Sequence, residues 1–444
     1  MARRYYAGQY NVGLESEDVE QEVTKVEAQD KGAETLETEL LEVQDSAAEG
    51  EDREEAIGNA EAVAEELGED LEDVTVAAEA GGLDAVAASI LARSVNGKLS
   101  SIGMSPVRFP ATESFGGTSG RVGATAIAQE AIGEKIADIW KAIVAAIKKA
   151  VQWAKDHYNK VFGTYERISK RARALQVRAE GETGVAESKD FENERVFAAL
   201  CVNKAVNVDI LIGSFRDGRD LTKLAADFES LVDKLLDFDP TAEDANISGI
   251  ASEGASFLES VRKDGDLTEK VPASDKDKYV EGLVTVTSKE MPGNKCKLAS
   301  YTVADEKTTD IDKAVGIRAY RLVPFNAKLD IKGKKLPTLA INKVEDLTVA
   351  IDAFAQRAIK LRSDNEKIFK ALEDMAKVAD MLSKEVQDNE STDVSKQGRQ
   401  MARVFTNLNR IMGGSMQTMN TYDVQLAKSC LDYAELSLKQ YKNK

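Results

Sequence analysis

Residues 344–388, VEDLTVAIDAFAQRAIKLRSDNEKIFKALEDMAKVADMLSKEVQD, place Leu347, Ile351, Phe354, Ala358, Leu361, Asn365, Ile368, Leu372, Met375, Ala379, Leu382 and Val386 at alternating steps of four and three. Such steps keep these side chains on one side of an α-helix, so the stretch is predicted to be a heptad-patterned helix of more than five repeats. At 1.5 Å per residue it would be on the order of 65 Å long. Asn365 is the polar residue in the seam, where it would fix register. Further stripes follow at Met401, Val404/Phe405, Leu408 and Ile411/Met412, and after Gly413-Gly414 at Met419, Tyr422, Leu426, Cys430, Tyr433, Leu436 and Tyr441. Residues 340–444 are therefore expected to form a long helix with antiparallel helices folded back on it. The same 347–386 seam would alternatively pair two chains and make an oligomer.

Upstream, Tyr279–Ser288 and Cys296–Ala304 carry alternating Val, Leu, Thr and Tyr around the turn Met291-Pro292-Gly293-Asn294, and Ile317–Val323 continues the alternation. This predicts a small antiparallel sheet, placed as an insertion over 246–335. Before it, residues 127–245 open with Ile132, Ile136, Ile139/Trp140, Ile143, Ile147, Val151, Ala154, Tyr158 and Val161/Phe162, the spacing of a strong amphipathic helix. Shorter helical stripes run through Phe191–Val206 and Leu221–Phe238, the second stopped by Pro240.

The first quarter of the chain differs in charge. The 444 residues carry a net charge of −18, yet residues 1–113 hold 27 acidic and 8 basic side chains, a balance of −19, and the remainder balances at +1. Few aromatics and many carboxylates make 1–113 an expected disordered or loosely helical segment. Weak helical stripes remain at Ile57, Ala60, Val63/Ala64, Leu67 and Leu71, and at Leu83, Val86, Ile90 and Leu91. Turn formers then crowd residues 96–126, so a flexible linker is expected over 114–126. The whole is predicted to be mainly α: a helical bundle body with a long heptad-patterned helix and a small β insertion, behind an acidic, weakly ordered N-terminal segment. Three domains are a reasonable prior for this length. No 18-residue apolar run or secretory signal is read, so a soluble protein made in a cytoplasm is expected.

Candidate chemistry is sparse. His157 is the single histidine, beside Asp156, which removes most triads and histidine metal sites and reads as a surface side chain near a helix seam. Cys201, Cys296 and Cys430 lie far apart with neither disulfide nor zinc spacing and read as part-buried thiols. The glycine cluster at 116–123 follows no strand, so no phosphate loop is read. Asp217-Gly218-Arg219-Asp220 and Asp237-Phe238-Asp239 read as caps and turns. No enzyme, metal or cofactor is expected.

What remains is an arrangement of charge. Between Lys135 and Arg178 lie 11 Lys or Arg against Asp138, Asp156 and Glu166. The candidate polyphosphate contacts are Lys148, Lys149, Lys155, Lys160, Arg167, Lys170, Arg171, Arg173 and Arg178, which an attached acidic segment would screen and a cut would expose. The stretch 132–162, with Trp140 and Trp153 and a lysine-rich polar face, would alternatively act on membranes after ejection into a host.

With its acidic leader and helical body, the chain resembles the internal head proteins of large tailed bacteriophages, the inner-body or core proteins packed with the genome. That resemblance implies a propeptide removed by a prohead protease, which cuts after Glu in a small-residue–x–Glu context as the shell matures. The matching residues are Ala111-Thr112-Glu113 followed by Ser114, at the point where the charge balance switches. Ala-x-Glu also occurs at Ala47–Glu49, Ala64–Glu66, Ala77–Glu79, Ala128–Glu130, Ala251–Glu253 and Ala371–Glu373. The implied partners are the protease, capsid or inner-core proteins and packaged DNA, and the implied place is the capsid interior.

Overall fold

The computed structural model describes residues 56–216, 230–234, 266–271, 284–301, 317–326, 330–360 and 419–442, with single positions between 38 and 53, 253 and 263, and 366 and 377. Its axis is one helix. α3 (Thr118–Glu180) runs for 63 residues, about 95 Å at 1.5 Å per residue. Ahead of it come α1 (56–79) and α2 (Ala85–Ser101). Behind it come α4 (Glu194–Leu200), α5 (Val208–Arg216), α6 (Ile341–Lys360) and α7 (419–438). Helices predominate among the described residues, as the periodicities predict.

Hydrogen bonds and ion pairs fix the direction of the bundle. Along α3, Arg173 meets Asp352, Ser169 meets Asp352 and Gln356, and Lys155 meets Glu373, so α6 runs antiparallel to α3. His157 meets Thr421 and Arg171 meets Glu435, so α7 runs parallel to α3 and antiparallel to α6. The described part of the heptad seam is thereby satisfied within one chain: Leu347 and Ile351 share a buried cluster with Ile168, Leu175, Leu431 and Ala434, and half-buried Phe354 and Ala358 pack against it. Leu361, Asn365, Ile368, Leu372, Met375 and 378–386 of the seam, and the stripe from Met401 to Met412, lie outside the described residues.

Two cores lie in tandem along α3. The second half of the helix packs on α4, α5, α6 and α7. The first half, from Ile132 to Phe162, packs on Ile57, Val63, Leu67 and Val74 of α1, on Val95 and Leu99 of α2, and on Val107. The weak acidic helices have thus found the partner that short helices need. Through α1 and α2 the leader is seated on the body.

The seating is specific. Gly82 has φ +91, and a Cβ there would lie 2.7 Å from the Arg121 carbonyl carbon, so only glycine lets the α1–α2 turn approach α3 this closely. Leu83 N donates to Thr125 Oγ1 at 2.8 Å, and Gln129 Nε2 donates to Thr75 Oγ1 at 3.0 Å. Asp84 caps α2 by accepting from Val86 N and Ala87 N.

Two stretches depart from the sequence reading. Residues 118–126, expected as linker, form the first turns of α3, and Phe115 is buried with Ala88 and Ala124. One buried aromatic and helix propagation outweigh the turn propensity of scattered glycines. In α2, Val86 and Ile90 are exposed while Ala88, Val95 and Leu99 are buried. The buried stripe is rotated from the expected one, because small Ala88 permits close packing that a count of large residues overlooks.

The β insertion is a four-stranded antiparallel sheet of β3 (Glu269–Lys270), β4 (Val284–Thr287), β5 (Lys295–Tyr301) and β6 (Ile317–Pro324), joined in that order. Its 291–295 turn docks on the body: Gly293 N donates to Cys201 O at 3.0 Å, and Tyr422 Oη donates to Pro292 O at 3.0 Å. Two small ladders were not anticipated. β1 (Val185–Ala186) pairs with β8 (Tyr441–Lys442), and β2 (Asp190–Glu192) with β7 (Lys335–Pro337). Phe191, read as helical, sits in β2 and packs on the second core. Residues 221–229 and 235–238 of the expected second stripe lie outside the described residues, as do the 217–220 and 237–239 acid pairs.

Candidate functional site

The segment around Glu113 is held at both ends and open between them. Val107, buried in the first core, exchanges two hydrogen bonds with the Asn96 amide, at 2.7 and 3.2 Å. Phe115 is buried at the other end, and Arg121 Nε donates to its carbonyl at 3.0 Å. Between these anchors Ala111, Thr112, Glu113 and Ser114 are all exposed, and Thr112–Phe115 make a single 3₁₀ turn closed by Ser114 N donating to Ala111 O.

Such a turn is short and poorly bonded compared with an α-helix, so a protease can draw it into an extended strand at small expense. The other described copies of the motif lie on α-helices. Residues 64–66 are mid-α1 with Ala64 fully buried, 77–79 end α1, 128–130 are inside α3, and 371 and 373 are helical. Ala47–Glu49 and Ala251 fall outside the described residues.

The nine basic candidates share one side of α3. At 100° per residue they fall within an arc of roughly 160°, over a length of about 45 Å, opposite the buried stripe. Eight are exposed and Arg171 is half-buried. Three are tied to C-terminal carboxylates. Arg171 reaches Asp432 at 2.8 Å and Glu435 at 2.7 Å, Arg173 reaches Asp352 at 3.0 Å, and Lys155 reaches Glu373 at 3.2 Å. Burial alone would raise Glu435, but hydrogen bonds from Lys439 and Arg171 hold it below the usual carboxylate range. For these three cations, screening comes from α6, α7 and the helical positions beyond α6 rather than from the leader.

The apolar face of the same helix is occupied. Ile132, Ile139, Ile143 and Ile147 are buried in the first core, so the 132–162 stripe reads as core in the folded chain. Among the described residues no helix is long and apolar enough to cross a membrane.

His157 is buried, not superficial as its charged neighbours suggested. It stacks on Trp153 with ring centroids 5.5 Å apart, and its Nε2 lies 3.2 Å from Thr421 Oγ1 on α7. Burial, with Lys160 adding to it, pushes its pKa down to about 4. A neutral imidazole stacked on Trp153 inside a helix seam serves packing. The three thiols are fully buried rather than part-buried, and burial raises Cys201 and Cys430 above their ordinary value, which leaves them unreactive. Among the described residues no group of His, Cys, Asp and Glu has the geometry of a metal site.

Comparison with known proteins gives one family. A family model described as phiKZ-like phage internal head proteins matches residues 14–436. Neither the curated proteins nor the solved structures gave a match.

Proposed function

The chain belongs to the phiKZ-like phage internal head proteins, a structural family of the capsid interior, and on that premise we propose that it is made as a precursor and cut after Glu113 during head maturation. The carrying observation is that, among the described copies of Ala-x-Glu, only Ala111-Thr112-Glu113 lies off an α-helix, on an exposed turn between two buried anchors. Mass spectrometry of mature particles should find a peptide beginning at Ser114. An intact peptide spanning Glu113 and Ser114 in finished heads would defeat the reading.

After the cut, the basic strip of α3 lies against packaged DNA. Its length of about 45 Å spans more than one turn of duplex, and lysines or arginines in a row neutralise phosphates without reading sequence. Lys149, Lys160, Lys170 and Arg178 are exposed along it. Duplex binding by the 114–444 body, freed of the leader, should fall steeply with salt, because phosphate contacts release counterions. The uncut chain, with its leader balance of −19, should bind more weakly at the same salt.

A further inference from the structure

A cleft of about 360 Å³ opens between α4, the 291–295 hairpin turn and α7. Its volume is at the lower end of small-molecule sites, large enough for one mononucleotide. Three cations line it from three separate elements: Arg195 of α4, Lys295 at the start of β5 and Lys428 of α7. The single carboxylate among the lining residues, Asp432, is shared, since it holds Lys428 Nζ at 2.7 Å and Arg171 Nη1 at 2.8 Å. The Lys428 side chain is only 12% exposed, so its charge lies within the wall and is weakly screened.

The rest of the lining suits the other end of an amphipathic ligand. Val196, Ala199 and Leu426 supply apolar surface, and Gln425 and Ser429 supply side-chain donors and acceptors. Positive charge beside an apolar wall with a few polar groups is complementary to a nucleoside phosphate: anion at one end, flat apolar base with a polar edge at the other.

We propose that this cleft binds a nucleoside phosphate, with the phosphate between Lys295, Lys428 and Arg195 and the base against Val196, Ala199 and Leu426. The shared chemistry is that of a free nucleotide or of one unit of a single strand. Lys428 does not need to leave Asp432, because a phosphate carries several acceptor oxygens and an ammonium three donors. The proposal is separate from the α3 strip, which needs neither a cleft nor a base.

Isothermal titration of the full-length chain with dTMP, a 12-nucleotide single strand and a 24-base-pair duplex tests it. Binding of dTMP is expected, weakened about tenfold or more in Lys295→Gln and retained in Lys295→Arg. Binding of the strand without dTMP would identify a strand unit as the ligand. A Lys149→Gln/Lys170→Gln double variant should leave dTMP binding unchanged while weakening the duplex, so the cleft and the strip succeed or fail independently. Absence of binding by both dTMP and single strand, or equal affinity of the wild type and Lys295→Gln, would overturn the proposal.

Discussion

A single imidazole shows how far one residue's environment can depart from its neighbours in the sequence. His157 follows Lys155 and Asp156 and precedes Lys160, a context that reads as surface. The flanking charges fall on the open side of α3, whereas position 157 turns toward Thr421 of α7, a contact 264 residues distant that no local pattern reveals. Its pKa is lowered from 6.5 to about 4, so the unfolded chain binds a proton that the folded chain refuses. Stability from this group is present above pH 6.5 and is lost as pH falls toward 4. Between pH 7 and 4.5 the loss is about 2 kcal/mol. Chemical denaturation at the two pH values should show a drop larger by that amount in the wild type than in His157→Gln, which carries no titrating ring. Equal drops would mean that the ring is hydrated in solution.

At the scale of the helix, the apolar period told which elements exist and partly which side they bury. The α3 stripe was legible from Ile132 to Phe162 because large residues recur there without interruption, and each is buried. In α1, the Ile57, Val63/Ala64 and Leu67 stripe was legible only as a weak helix, and its partner was not, since nothing in a period names the surface it meets. α2 was misphased because Ala88 and Val95, not Val86 and Ile90, face inward. The ladders β1–β8 and β2–β7 span two and three residues, too short for any alternation. The exposed Glu113 turn was legible as a motif, while its anchors Val107 and Phe115 were not, because each is held by packing on other helices and Val107 also by the Asn96 amide of α2. Two substitutions separate the buried stripe from the expected one. Leu67→Ala removes a fully buried side chain at the α1–α3 contact and should destabilise by about 2–5 kcal/mol. Ile90→Ala, at a position 63% exposed, should stay within about 0.5 kcal/mol. Urea unfolding followed at the tryptophans, both on α3, would resolve the pair, and the opposite ranking would place Ile90 in the core.

For the whole molecule the decisive question is what holds the acidic leader to the body. Charge alone suggests an electrostatic attachment, since a leader with a balance of −19 is joined to a body whose α3 carries a basic excess. The structure adds an apolar one. Ile57, Val63, Leu67, Val74, Val95, Leu99 and Val107 are buried in the first core, and each contributes roughly 1.5–3 kcal/mol of gross transfer energy. Exposed ion pairs contribute about 0–1 kcal/mol each and fade with salt. Apolar packing therefore dominates, and cutting the backbone at Glu113 leaves two pieces with an intact shared core. A sequence-specific protease site placed between Glu113 and Ser114 of the full chain makes this measurable. After cutting, the 1–113 piece should co-elute with the body at both 0.1 and 1 M NaCl and separate only in denaturant. In Leu67→Ala the same nicked protein should part at a lower denaturant concentration, because that side chain belongs to the contact that holds the pieces together. Separation on raising salt alone would return the leader to a purely electrostatic mask. If the pieces stay together, loss of the leader from a mature head requires α1 and α2 to be unfolded or cut again, and the exposed Glu79 at the end of α1, next to the Gly81-Gly82 turn, is where a second cut meets the least helix.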